Sequence, residues 1–122
     1  MSRAVTAPAT EDDLDESVLA DLRRCLGSDA DDLIPELIGV YLKEARVNLD
    51  EMAAGLSVGD ADRVARAAHR LRGSSGYVGA RNVAATSAEI EGKAEQDGIA
   101  DLDGRIGELR ARLDALDRRL LG

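Results

Sequence analysis

Leu102, Ile106, Leu109, Leu113, Leu116 and Leu120 recur at alternating steps of four and three. Only a helix brings residues at that spacing onto one side, and the alternation is that of a seam facing other helices. The rest of the chain adds no competing signal, since no segment shows the two-residue alternation of a strand. Two tyrosines are the only aromatic residues. The core must therefore come from Leu, Ile, Val and Ala, which suits close helix packing better than a sheet. At 122 residues the chain forms one domain, large enough to bury a core of its own.

Four further runs precede this one. Residues 1–12 lack apolar periodicity and are expected to form a flexible tail, leaving residues 13–122 as the folded domain. Leu14, Val18, Leu22, Cys25 and Leu26 keep helical spacing until Gly27 stops it. Cys25 is the sole cysteine, which excludes an internal disulfide; its place in the run predicts a small buried apolar residue. Ile34, Leu37, Ile38, Tyr41, Leu42, Ala45, Leu49, Met52 and Leu56 make one long stripe, with Tyr41 and Met52 as core. Its start is open, because Pro35 fits only a first turn. "SVGD" breaks that helix, and Asp60 is a good cap for the next. A fourth helix is expected from about Ala80 to Gln96, with Val83, Ser87, Ile90 and Ala94 inward and "DG" ending it. The fold expected is all-α: an antiparallel four-helix bundle with an additional short N-terminal helix.

The formal net charge of −8 argues against nucleic acid or an anionic membrane as partner. No signal peptide or membrane span is readable, so a cytoplasmic protein is expected. Met1 followed by a short tail favours a free-standing protein over an excised domain. The charge is unevenly spread, however. Between Arg63 and Ala88 lie five arginines (Arg63, Arg66, Arg70, Arg72 and Arg81) and no acid. A run of charge by itself reads as a solvated face, but this one contains the only histidine.

In the third helix Ala61, Val64, Ala68, Leu71, Ser75 and Val78 form the inward stripe. At about 100° per residue, His69 points roughly 130° from its centre, so it is not a core histidine. Ala65, Arg66, Arg72, Gly73 and Gly76 lie within about 60° of it. Each interior glycine costs a helix about 1 kcal/mol relative to alanine. Two of them on an exposed face clear side chains from around the imidazole, so that another surface can approach. Arginines three residues before and after supply donors to an anion. Imidazole nitrogen is nucleophilic near neutral pH, its unperturbed pKa being about 6.5. A phosphoryl group carried on nitrogen suits this setting, because phosphoryl transfer asks a protein mainly for positioning and charge stabilisation.

The stretch "AHRLRGSSGYVGARNVAATSAEIE" resembles the signature of histidine phosphotransfer (HPt) domains, roughly H-x-L-K-G-S-[SA]-x-x-[LV]-G-A followed by an L-x-x-x-C-x-x-L-E helix. His69, Leu71, Gly73, Ser74, Ser75, Val78, Gly79 and Ala80 match it, and Val83, Ser87, Ile90 and Glu91 follow with mild substitutions. The resemblance covers about residues 13–121. It implies that His69 accepts a phosphoryl group from the aspartate of a response-regulator receiver domain and passes it to another receiver. The partners it implies are response-regulator receiver domains, that of a hybrid histidine kinase being one candidate. It further implies a monomeric carrier with no cofactor of its own, magnesium being expected on the receiver. Arg72 stands where the family has lysine and becomes the foremost phosphoryl-stabilising residue, with Arg66 second. Ala65, Gly73 and Gly76 become the docking platform. Ser87 replaces a core residue and touches packing only.

Other readings are weaker. A histidine kinase would carry an acidic-x-[KR]-x-P sequence after its histidine and an ATP-binding domain, and this chain has neither. A metal site lacks ligands, since one histidine has no spaced partner and no nearby carboxylate on its own face. The remaining alternative is a helical-bundle adaptor, or a degenerate HPt domain that binds receivers without carrying phosphate.

Overall fold

The structure, a computed structural model, describes residues 15–96 and 98–120, the side chains of 119 and 120 excepted. The expected tail, Leu14 and the Asp97 of the "DG" stop fall outside the described residues. Among the described residues five α-helices follow in order: α1 Glu16–Leu26, α2 Ala30–Val58, α3 Ala61–Val78, α4 Arg81–Gln96 and α5 Asp103–Leu120, with a 3-10 turn, Gly27–Asp29, between the first two. Helices α2 to α5 form an antiparallel four-helix bundle with α1 laid against α2 and α3. Among the described residues there is no strand, and no helix is long and apolar enough to cross a membrane.

Local chemistry sets the helix ends. The Asp60 carboxylate accepts the Arg63 amide at 3.1 Å and so caps α3. Gly59 and Gly79 close α2 and α3 in the left-handed conformation, φ 73° and 81°, which glycine adopts without steric cost. Each turn reverses the chain within two residues, which is what makes α2, α3 and α4 antiparallel neighbours. The Asp15 amide also donates to the Gly79 carbonyl at 2.7 Å, fixing the start of α1 to the end of α3. Asp15 caps α1, and hydrogen bonds from the Ser17 hydroxyl and amide hold its carboxyl below the ordinary range.

The core is aliphatic, as the composition requires. Leu49 and Met52 of α2, Val64 and Leu71 of α3, Val83 and Ile90 of α4, and Leu109, Leu113 and Leu116 of α5 are fully buried. Each such side chain stabilises the fold by about 1.5–3 kcal/mol through removal of apolar surface from water. α3 lies between α2 and α4, so its buried arc is wider than its predicted stripe and takes in Ala65 and Ala67 as well. These alanines leave room for both neighbouring helices.

Three expectations need correction. Cys25 is exposed: α1 rests on the bundle through Leu19, with Val18, Leu22 and Leu26 half-buried, and Cys25 lies at the outer edge of that contact. Pro35 lies in the second turn of α2, not the first. There it withholds the amide that Asp31's carbonyl would accept in a regular helix, and the exposed carbonyl can turn to water. Leu37, placed in the stripe by spacing, is 37% exposed. The inward positions of α4 hold, with Thr86 added, but the Ser87 hydroxyl is buried with no hydrogen-bond partner among the described residues. That is a cost of about 1–3 kcal/mol on mutational scales.

Candidate functional site

His69 projects from the middle of α3 with its side chain 63% exposed, as its register predicts. Its closest partner comes from another helix. Oε2 of Glu91, on α4, lies 2.9 Å from His69 Nδ1. Arg72 Nε donates to Oε1 of the same carboxylate at 3.0 Å, and an Arg72 terminal nitrogen lies 3.0 Å from His69 Nδ1. Glu91 is only 16% exposed, so water screens this triad less than a surface pair. The packing of α4 against α3 thus places an acceptor beside one ring nitrogen, and no described residue bonds the other.

The geometry selects a tautomer. Nδ1 cannot both donate to Glu91 and accept from Arg72. With the proton on Nδ1 it donates to Glu91, and the Nε2 lone pair faces outward. Arg72 then keeps its Nε on Glu91 while its terminal nitrogens are available to an anion near Nε2. The carboxylate would also stabilise positive charge developing on the ring when Nε2 bonds an electrophile.

Glu91 matches the family pattern with no role attached to it, and the expectation of no nearby carboxylate on His69's own face leaves out the acid of a neighbouring helix that meets the ring. On His69's own helix face Asp62 stands two turns earlier, lines the same depression and binds Arg66; the carboxylate that meets the ring comes from α4, 22 positions along the chain. Helical spacing fixes directions within a helix and says nothing about which way its neighbour is turned. The pairing of the arginines is likewise set across helices. Arg63 binds Glu51 of α2 at 2.8 Å, and that hydrogen bond, with the arginine's charge, holds the Glu51 carboxyl below its ordinary range. Arg66 is held by Asp62 one turn earlier, so its guanidinium is engaged before any phosphoryl group arrives.

Gly73 and Gly76 are exposed as expected, and a Cβ added to either would meet no atom within 4 Å. Ala65 corrects the platform. It is buried, 7% exposed, because the edge of α3's interface with α4 reaches it. It lines a shallow depression with His69, Arg66 and Glu91 and forms its floor. No group of three or more His, Cys, Asp or Glu side chains among the described residues could hold a metal ion.

A family model, the Hpt domain, matches residues 36–119, a span that contains His69, Arg72 and Glu91. The fold is similar to the crystal structure of histidine-containing phosphotransfer protein B from Pseudomonas aeruginosa PAO1. The TM-score is 0.80 at 24% identity, over 93% of this chain and 92% of that one. No curated protein matches the sequence closely enough to count as a relative. With the family match spanning most of α2 and nearly all of α3 to α5, the chain belongs to the Hpt domain family and is a histidine phosphotransfer protein of a phosphorelay.

Proposed function

We propose that His69 is the phosphoryl acceptor and that Nε2 is the attacking atom. One observation carries the assignment: an exposed imidazole whose Nδ1 lies 2.9 Å from the Glu91 carboxylate, leaving Nε2 directed outward beside two glycines. The Nε2 lone pair attacks the phosphorus of a receiver's aspartyl phosphate. The N–P bond forms as the P–O bond breaks, and its electron pair returns to the receiver's carboxylate. The Nδ1 proton stays in place, so the product ring carries positive charge against Glu91. Transfer onward is the reverse reaction with another receiver's carboxylate. Arg72 answers the phosphoryl charge with charge-assisted hydrogen bonds. Arg66 contributes less, since it must first leave Asp62. Gly73 and Gly76 admit the receiver's surface.

In this reading the chain is a monomeric cytoplasmic carrier without an ATP site, working between receivers, one of them on a hybrid kinase. The test is transfer of radioactive phosphoryl from a phosphorylated receiver. An acid-labile, base-stable adduct is expected on the unaltered chain. In His69→Gln it should be absent, with helical content and melting temperature nearly unchanged. Loss of several kcal/mol of stability in His69→Gln would make the histidine structural instead. Labelling from ATP and magnesium alone would make the chain a kinase. A receiver that binds but never transfers label would make it an adaptor.

A further inference from the structure

The exposed face of α3 has two flanks. Toward α4 stands the Glu91 and Arg72 pair. Toward α2 stands a stripe of Arg70, Ser74 and Tyr77, at steps of four and three. This second flank borders an open groove of about 390 Å³ walled by Leu22 of α1, Leu37, Val40 and Val47 of α2, and Tyr77. Val40, Val47 and Tyr77 are 61%, 59% and 70% exposed. Single exposed apolar side chains are ordinary, but a group of them around one groove marks a contact surface. Tyr77 is also one of only two aromatic residues in the chain. The other, Tyr41, is buried with its hydroxyl 2.7 Å from Ser75 Oγ.

Arg70 stands where this groove meets the His69 depression, lining both. Arg63, Arg66 and Arg72 each contact a carboxylate. Arg70 differs: its Nε donates at 3.0 Å to Oδ1 of Asn48, and no carboxylate among the described residues takes its terminal nitrogens. Asn48 is itself only 7% exposed and is anchored through its amide nitrogen to the Glu44 carbonyl at 3.2 Å. A buried amide therefore holds a guanidinium in one orientation, with its outer donors unused, beside the reacting histidine.

We propose that Arg70, positioned by Asn48, and Tyr77 are the residues that select the partner receiver. This deepens the carrier reading and rests on it. The receiver seated over His69 lays an apolar patch in the groove against Tyr77 and sets a carboxylate on Arg70. Two features favour that occupant. Arg70 lines both the groove and the His69 depression, and Tyr77 follows Gly73 by one helical turn, so a surface that covers His69 and Gly73 borders the groove. A donor that carries its phosphoryl group on an aspartate also brings carboxylates close to the histidine. Arg70 complements them with an oriented guanidinium whose charge reaches Glu51 but whose terminal nitrogens no carboxylate among the described residues bonds. Tyrosine and arginine are the residue types that most often dominate such contacts.

The experiment is calorimetric titration of a panel of receiver domains, taking those that bind the unaltered chain, against Arg70→Ala, Tyr77→Ala, Asn48→Ala and the Arg70→Ala/Asn48→Ala double variant. Tyr77→Ala should weaken binding about tenfold or more, independently of salt. Arg70→Ala should weaken it about fivefold at low salt and less at high salt. Asn48→Ala should reproduce part of the Arg70 loss, and the double variant should add nothing to Arg70→Ala. Phosphohistidine lifetime after receiver removal should be unchanged in all four, which separates selection of the partner from contact with the phosphoryl group. Unchanged affinity in both Arg70→Ala and Tyr77→Ala, or a shortened lifetime in Arg70→Ala, would overturn the assignment. Because calorimetry needs no phosphate, a chain that binds receivers but accepts no label would refute the carrier while the docking residues are still judged. A panel in which nothing binds the unaltered chain overturns both.

Discussion

Gly55 on α2 and the pair Gly73 and Gly76 on α3 all lie inside helices, where glycine is unfavourable by about 0.5–1 kcal/mol relative to alanine. Their surroundings are opposite. A Cβ at Gly55 would sit 2.9 Å from Val64 Cγ2 and 3.2 Å from both Arg63 Cβ and the Asp60 carbonyl oxygen. Glycine there lets the first turn of α3 close on the last turns of α2. At Gly73 and Gly76 the same atom meets nothing within 4 Å. The first glycine is explained inside the chain, while the other two are not. Open space alone does not mark a site, since Gly104 and Gly107 on α5 have it too. What distinguishes Gly73 and Gly76 is their place, one and two turns after His69 on its own face.

The sharpest break would come from alanine at each position. Gly55→Ala should destabilise the fold by about 1–3 kcal/mol, because a valine methyl, a β-carbon and a backbone oxygen all have to move. Gly73→Ala and Gly76→Ala should instead raise stability by about 0.5–1 kcal/mol. Urea unfolding of the three variants reads both signs. If Gly55→Ala were neutral, the distinction between a glycine required by packing and one left for a partner would collapse.

A smaller effect should appear in binding. Gly73→Glu or Gly76→Glu places a long side chain and a negative charge on the platform beside His69. Neither substitution meets an obstacle within the fold, so stability should hold while receiver affinity falls about tenfold, roughly 1.4 kcal/mol. Titration against a receiver settles it. Undiminished binding with full transfer would show that the partner docks elsewhere.

The same division governs what could be read from the sequence. Properties internal to a helix were legible: the α5 seam, the Asp60 cap, the inward positions of α4 and the outward register of His69 all follow from spacing. Properties that depend on how one helix is turned against another were not. Glu91 reaches His69 from α4, and Glu51 reaches Arg63 from α2, so the arginine-rich stretch is far less exposed in charge than its composition suggests. Spacing puts Ala65 on the surface because it resolves one stripe, whereas α3 has two neighbours. Cys25 fits the spacing of a stripe whose contact with the bundle is centred elsewhere, on Leu19. Ser87 keeps its inward position, but spacing could not reveal that its hydroxyl finds no partner among the described residues.

The smallest expected effect concerns Arg72, which joins the glycine platform to the chemistry. Its Nε bond to Glu91 fixes the guanidinium beside the imidazole, with a terminal nitrogen 3.0 Å from Nδ1, within reach of a phosphoryl group carried on the ring. The side chain is 44% exposed, so its pairing with a phosphoryl oxygen should be worth only about 0.5–1 kcal/mol. Arg72→Ala should therefore slow phosphorylation or shorten the phosphohistidine lifetime by several-fold, more at low salt than at high. Arg72→Lys should restore most of the loss, because a cation returns near the same oxygen even though the planar fork is lost. Removing Arg72 also frees one Glu91 oxygen, so Glu91→Gln is the necessary companion. It keeps an acceptor for the Nδ1 proton and removes the charge that faces the phosphorylated ring. If Arg72→Ala slows transfer by way of the phosphoryl group, its lifetime effect should persist in the Glu91→Gln background. Rates and lifetimes matching the unaltered chain at low salt would leave Arg72 as part of a solvated face, and Gly73 and Gly76 would then open only onto the histidine.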